Sequence, residues 1–383
     1  MLEQNWGRRS HARVTLATSL VCSAVVSVLG AGHASAVDET GMIATIAGMG
    51  TGGYSGDGGP ADQALLNRPA GVAVDPRGNT YVADTRNARI RKISATGTIT
   101  TIAGTGIAQA SGDGGPAIAA SLRWPTDLTL DSAGNLYVVD AATVRKIDTA
   151  GIITTIAGRT DGGAPGKDGQ PATLTFLSDP VALAIDGVGD VLIADEGNSE
   201  IREVTRDGII HTLAGTGKAG YSGDSGPARR AQLSHPNGVA VDSQGRVWIA
   251  DTSNSRIRRI DNDGTISTVV GDGFYGNSGD LGQAGAAELG NPTAIEFDGD
   301  GNLYVVDHAF NVIRRVDTHN IIDRLAGQTG PGSDSGDGGP AEEAAFKALS
   351  RIALDGQGNL YITDPAASRV RRVTPFTTTV HLS

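Results

Sequence analysis

Short apolar runs recur along the chain at a spacing near 56 residues, and each is closed by an aspartate. Val82-Ala83-Asp84, Val138-Val139-Asp140, Ile193-Ala194-Asp195, Ile249-Ala250-Asp251, Val305-Val306-Asp307 and Ile362-Thr363-Asp364 mark six copies, their aspartates 56, 55, 56, 56 and 57 apart. A period of this size, built from short β-type runs and Gly/Asn turns, marks a propeller or solenoid rather than separate domains. In the first copy Gly71-Val72-Ala73-Val74 is apolar on both faces, Pro76-Arg77-Gly78-Asn79 turns the chain, and Thr80-Tyr81-Val82-Ala83 returns it. Arg89-Ile90-Arg91-Lys92-Ile93 and Thr98-Ile99-Thr100-Thr101-Ile102 then alternate apolar with polar positions. Four antiparallel strands per copy are predicted, the first two packed on both faces and the last two nearer water. A radial array of blades explains that gradient, so the expected fold is an all-β six-bladed β-propeller of four-stranded antiparallel blades.

Copies of the fourth strand lie at 42–47, 98–103, 152–157, 209–214, 265–270 and 321–326. One of them precedes the first inner strand. The N-terminal strand is therefore expected to complete the last blade and close the ring, removing free edges; residues 376–380 compete for that slot. The connector 48–69 recurs in each copy, with Pro60 and Ala64-Leu65 predicting a single helical turn at each blade junction.

The run Pro69-x-Gly71-Val72-Ala73-Val74-Asp75-x-x-Gly78-Asn79-x-Tyr81-Val82-Ala83-Asp84-x-x-Asn87-x-Arg89-Ile90 resembles the NHL repeat. The appended Ser55-Gly56-Asp57-Gly58-Gly59-Pro60-Ala61 resembles the bacterial and teneurin-like branch of that family, and the likeness extends over residues 42–380 in all six units. It implies a six-bladed propeller, commonly a binding platform. Related propellers include lactonase-like, amidating-lyase and synthase enzymes as well as adaptors, so the resemblance leaves the chemistry open.

Composition changes the picture in three respects. Arg8, Arg9 and Arg13, the apolar residues 14–29 and Ala34-Ser35-Ala36 read as a signal peptide over residues 1–36, leaving 37–383 as one exported domain. The apolar stretch is shorter than a membrane span, and Ser19-Leu20-Val21 before Cys22 is a poor lipobox. Without residues 1–36 the chain carries 28 basic and 41 acidic residues, a net charge of −13, which disfavours nucleic acid and anionic membranes. Cys22 is the single cysteine, so the exported domain has no disulfide, thiol nucleophile or cysteine metal ligand. A secreted monomer is expected, with an extracellular protein, peptide, glycan or small molecule as partner.

Positions shared by all copies belong to the scaffold. Asp75 and its equivalents precede Gly in tight turns and are expected to cap backbone N–H groups, and the same role is expected for Asp84 and its equivalents. Arg91, Arg145, Arg202, Arg258, Arg314 and Arg371 cannot converge on one ligand and are expected to pair with nearby acidic turns. Calcium at Asp57, Asp113, Asp224 and Asp337 is the competing reading of the connectors.

Function is sought where the copies differ. Seven residues before the turn aspartate, at the entry to each inner strand, stand Arg68, Trp124, Asp179, His235, Asn291 and Ala348. Asp127 and Arg351 occupy the position of Gly71 and Gly238, and Glu296 breaks the apolar inner strand of the fifth copy. The ligand-binding candidates are thus Arg68, Trp124, Asp127, Asp179, His235, Asn291 and Arg351. Asp179 and His235, with Asn291, suggest a divalent metal (Ca or Zn) at the channel mouth. Glu296 is either a desolvated general base or, the preferred reading, the partner of Arg351; His308 lies in a turn on the same face. A binding module is favoured over a metal-assisted hydrolase or lyase, because the rim lacks a set of three histidines and no Ser-His-Asp pattern stands out.

Overall fold

The computed structural model describes residues 41–163, 166–330 and 332–375. The predicted leader at 1–36 and the competing strand at 376–380 lie outside the described residues. Six antiparallel sheets form, three of four strands and three with an added two-residue strand from the connector. The inner strands are Pro69–Val74, Pro125–Leu130, Pro180–Ile185, Pro236–Val241, Pro292–Phe297 and Ile352–Leu354. Each packs against the inner strands before and after it, and the sixth returns to the first, which makes a closed ring of blades. Met42–Ala47 pairs antiparallel with Arg369–Thr374, Met42 opposite Thr374, so the N-terminal strand completes the sixth blade as expected. Among the described residues no helix is long and apolar enough to cross a membrane.

The core lies between blades. At the first junction Ala73, Ile90 and Ala103 of blade one meet Leu128, Val138 and Ile153 of blade two, with Ala117, Ala120 and Leu122 of the connector inserted beside them. Each connector forms its single turn, for example Ala61–Gln63 and Ala117–Ala119, as a 3₁₀ helix. Pro60 sits one position earlier than the sequence suggests: it is extended, and its carbonyl accepts from Gln63 N.

The repeated polar residues hold this scaffold. Asp75 accepts from its own turn's Arg77 N and Asn79 N, both at 2.9 Å. Asp84 holds its own turn through Asn87 Nδ2 at 2.7 Å and also reaches back 17 residues, accepting from Asn67 N at 2.7 Å, and so fastens the connector as well. Arg91, fully buried, bridges Asp84 at 3.3 Å and the connector's Asp57 at 2.7 Å. The pattern recurs at Arg258 with Asp251 and Asp224, and Asp113 and Asp337 likewise pair with Arg145 and Arg371. The connector aspartates considered for calcium are thus committed to guanidinium groups.

Near the axis the backbones come very close. A Cβ on Gly71 would lie 2.8 Å from Asp127 Cα and 3.0 Å from Thr126 O, both backbone atoms of the next blade. Gly71→Ala is expected to cost about 1–3 kcal/mol by forcing blades one and two apart. Urea unfolding measures it, and an unchanged midpoint would contradict this contact.

Candidate functional site

The connectors and the turns between second and third strands share one face, and there a pocket of ≈380 Å³ opens over the axis. Arg68, Trp124 and Ala348 of the predicted rim line it, together with Arg351 and His308. Asn237, Thr126, Thr293 and Ser350 line it too, and the sequence reading passed over all four. They form one column, the residue after the strand-opening proline in most blades: Ala70, Thr126, Val181, Asn237, Thr293, Ser350. Arg68, Asp179 and His235 adopt left-handed backbone, with φ near 51–52°, immediately before proline, which sets these side chains on the surface. His308 Nδ1 donates to Leu349 O at 2.5 Å, fixing the ring and its tautomer.

Arg351 is the floor of the mouth. From blade six it reaches across the axis, donating to Val181 O at 2.6 Å, Thr293 O at 3.1 Å and Asn237 Oδ1 at 3.2 Å. Its Nε lies 3.4 Å from Asp127 Oδ1, and Asp127 Oδ2 accepts from Leu183 N at 2.9 Å. One guanidinium therefore ties blade six to blades two, three, four and five. Both members of the pair are buried, at 8% and 6% exposure.

Beneath the floor, a chamber of ≈170 Å³ is walled by all six inner strands and contains Glu296. The expected Glu296–Arg351 pair does not form. Arg351 is drawn to Asp127 and to carbonyls one layer higher, leaving Glu296 without a hydrogen-bond or ion-pair partner among the described residues. Burial, followed by the charge of Asp127, pushes the Glu296 carboxyl up to about 8.

Asp179 and His235 are exposed on blades three and four, and neither they nor Asn291 line the pocket. They flank Glu196, whose pKa burial raises, His235 lowers and Asp179 raises again. Glu196 accepts from Asn237 Nδ2 at 3.1 Å, which links it through one amide to Arg351. Glu196 was missed at the sequence level, although it shares the column of Thr85 and His308, the residue following the second strand's aspartate.

Among the described residues, one group of three carboxylates brings its oxygens within 4.8 Å: Asp186, Asp190 and Glu203, at the opposite end of blade three. There Asp190 stands where blades one and two have Asn79 and Asn135, and Glu203 where they have Lys92 and Lys146. Asp179 and His235 belong to no such group.

Comparison with known proteins follows the repeats. A family model described as the Teneurin NHL domain matches residues 46–110, 106–164 and 216–277. Teneurin-1 of Gallus gallus is 35% identical over 231 residues, 54% of this chain, but the chain spans only 8% of that protein's length. Among solved structures, a protein of unknown function from Bacteroides thetaiotaomicron superposes with a TM-score of 0.65 at 18% identity, over 87% of this chain and 76% of the other. A streptogramin B lyase superposes with a TM-score of 0.50 at 14% identity, over 81% and 94%. At these identities the two structures speak for the fold alone.

Proposed function

We propose that this chain, an NHL-repeat β-propeller of the teneurin-like branch, is an exported, monomeric binding module that holds its ligand at the mouth of the central channel. The observation that carries the reading is convergence. Side chains that differ from blade to blade, Arg68, Trp124, Asn237, His308 and Arg351, meet around one ≈380 Å³ pocket, while the repeated arginines and aspartates are consumed in the scaffold. Pockets of this size with a few convergent polar groups are typical ligand sites. The ligand is an extracellular protein, peptide, glycan or small molecule.

A metal-assisted hydrolase or lyase is the second reading. What favours it is Glu296, an unpaired carboxyl raised to about 8 within reach of channel solvent. Asp179 and His235 flank Glu196, but the three do not bring their ligand atoms close enough together to form a metal-holding group among the described residues. Against it, the Arg351 floor lies between Glu296 and the mouth.

Arg68→Asn and Trp124→Ala separate the two. Asparagine tolerates the left-handed backbone at position 68, so both proteins are expected to melt as the parent does. Each is expected to weaken ligand capture by about tenfold or more, as truncation of a central aromatic or arginine anchor does. Turnover of a bound ligand, lost in Glu296→Gln and on chelation, would establish the enzyme instead.

A further inference from the structure

The mouth is basic in an acidic molecule. The chain has 42 acidic and 31 basic residues, yet the pocket wall contains Arg68 and Arg351 and no carboxylate, Glu196 standing behind Asn237. Arg68 is exposed and joins no ion pair among the described residues. Arg351 meets Asp127 only at its Nε, while both terminal nitrogens rest on neutral acceptors.

One further feature points to the rest of the ligand. Trp124 is 46% exposed and offers its indole as a flat apolar surface in the same pocket as Arg68 and Asn237. Apolar anchorage for peptide side chains is sparse: Ala70, Ala348, Leu349 and Pro365.

We infer that the mouth takes an anionic saccharide, one acidic pyranose held with its ring carbons on Trp124, its acid group on Arg68 and a hydroxyl on the Asn237 amide. The inference rests on the mouth reading above and narrows it to one ligand class. The acid is a carboxylate, as in a hexuronate, or a sulfate ester.

Titration calorimetry of the purified chain with trigalacturonate, galactose 6-sulfate and cellotriose tests it. At least one anionic sugar is expected to bind about tenfold or more tighter than neutral cellotriose, the worth of one hydrogen bond to a charged group. Which of the two binds identifies the acid. Arg68→Asn is expected to erase that preference and flatten the salt dependence, whereas Trp124→Ala weakens all sugars alike. Equal binding of cellotriose, or anionic binding untouched by both substitutions, overturns the inference. Should no sugar bind while a peptide or protein ligand is lost in both variants, the saccharide falls and the mouth site stands; if both variants keep every ligand, both fall.

Discussion

Replacing Asp251 with Ala is expected to destabilise the protein by about 3–5 kcal/mol, the usual cost of removing one member of a buried ion pair. Asp251 is fully buried and accepts from Ser234 N at 2.7 Å, Asn254 Nδ2 at 2.9 Å and Arg258 Nη1 at 3.2 Å. Its loss leaves a connector N–H without its acceptor and half of a buried guanidinium's compensation missing. Asp224 keeps the other half, at 2.6 Å from Arg258 Nη2. Total stabilities of about 5–15 kcal/mol make this a large fraction. Urea unfolding followed by Trp fluorescence is the measurement. The double variant Asp251→Ala, Arg258→Met is expected to recover part of the loss, because the stranded charge goes with it. A single-variant loss below about 1 kcal/mol would mean the repeated pair is not what fixes connector to blade.

Glu296→Gln is expected to act in the opposite direction, stabilising the protein at alkaline pH. The folded carboxyl sits at about 8 against an ordinary 4.5. Between those values the folded state holds a proton that the unfolded state has released, so stability falls as pH rises from about 4.5 and the penalty is complete above about 8. A shift of that size corresponds to about 5 kcal/mol. Channel solvent reaching the half-buried side chain screens part of it, and an effect of about 2–3 kcal/mol at pH 9 is expected. Glutamine has the same shape and no charge to desolvate, so the two proteins should coincide at pH 4 and separate by pH 9. Unfolding at the two pH values reads this directly. Destabilisation by glutamine at pH 9 would mean the carboxylate gains a favourable partner in solution, as a bound cation would provide.

Much of the mouth was legible because the repeat supplies its own reference. Arg68, Trp124 and Arg351 stood out as departures from the other copies, and all three line the pocket. The same comparison, carried one column further, would have found Asn237, Thr126 and Thr293; carried to the residue after each second-strand aspartate, it would have found Glu196 beside His308. The error over Glu296 had a different origin. Neighbouring blades made it the natural partner of Arg351, but the guanidinium crosses the axis to Asp127, 224 positions away in the chain.

The amino-acid sequence alone determined the six blades, their four strands, the closing strand and the structural duty of the repeated arginines. Each of these follows from local hydrophobic alternation and turn chemistry, written six times over. Only the tertiary structure decided which single-copy residues meet at the axis. Closing the ring brings inner strands from every copy to a common centre, where a side chain spans the gap according to its length and height, and separation along the chain no longer measures distance.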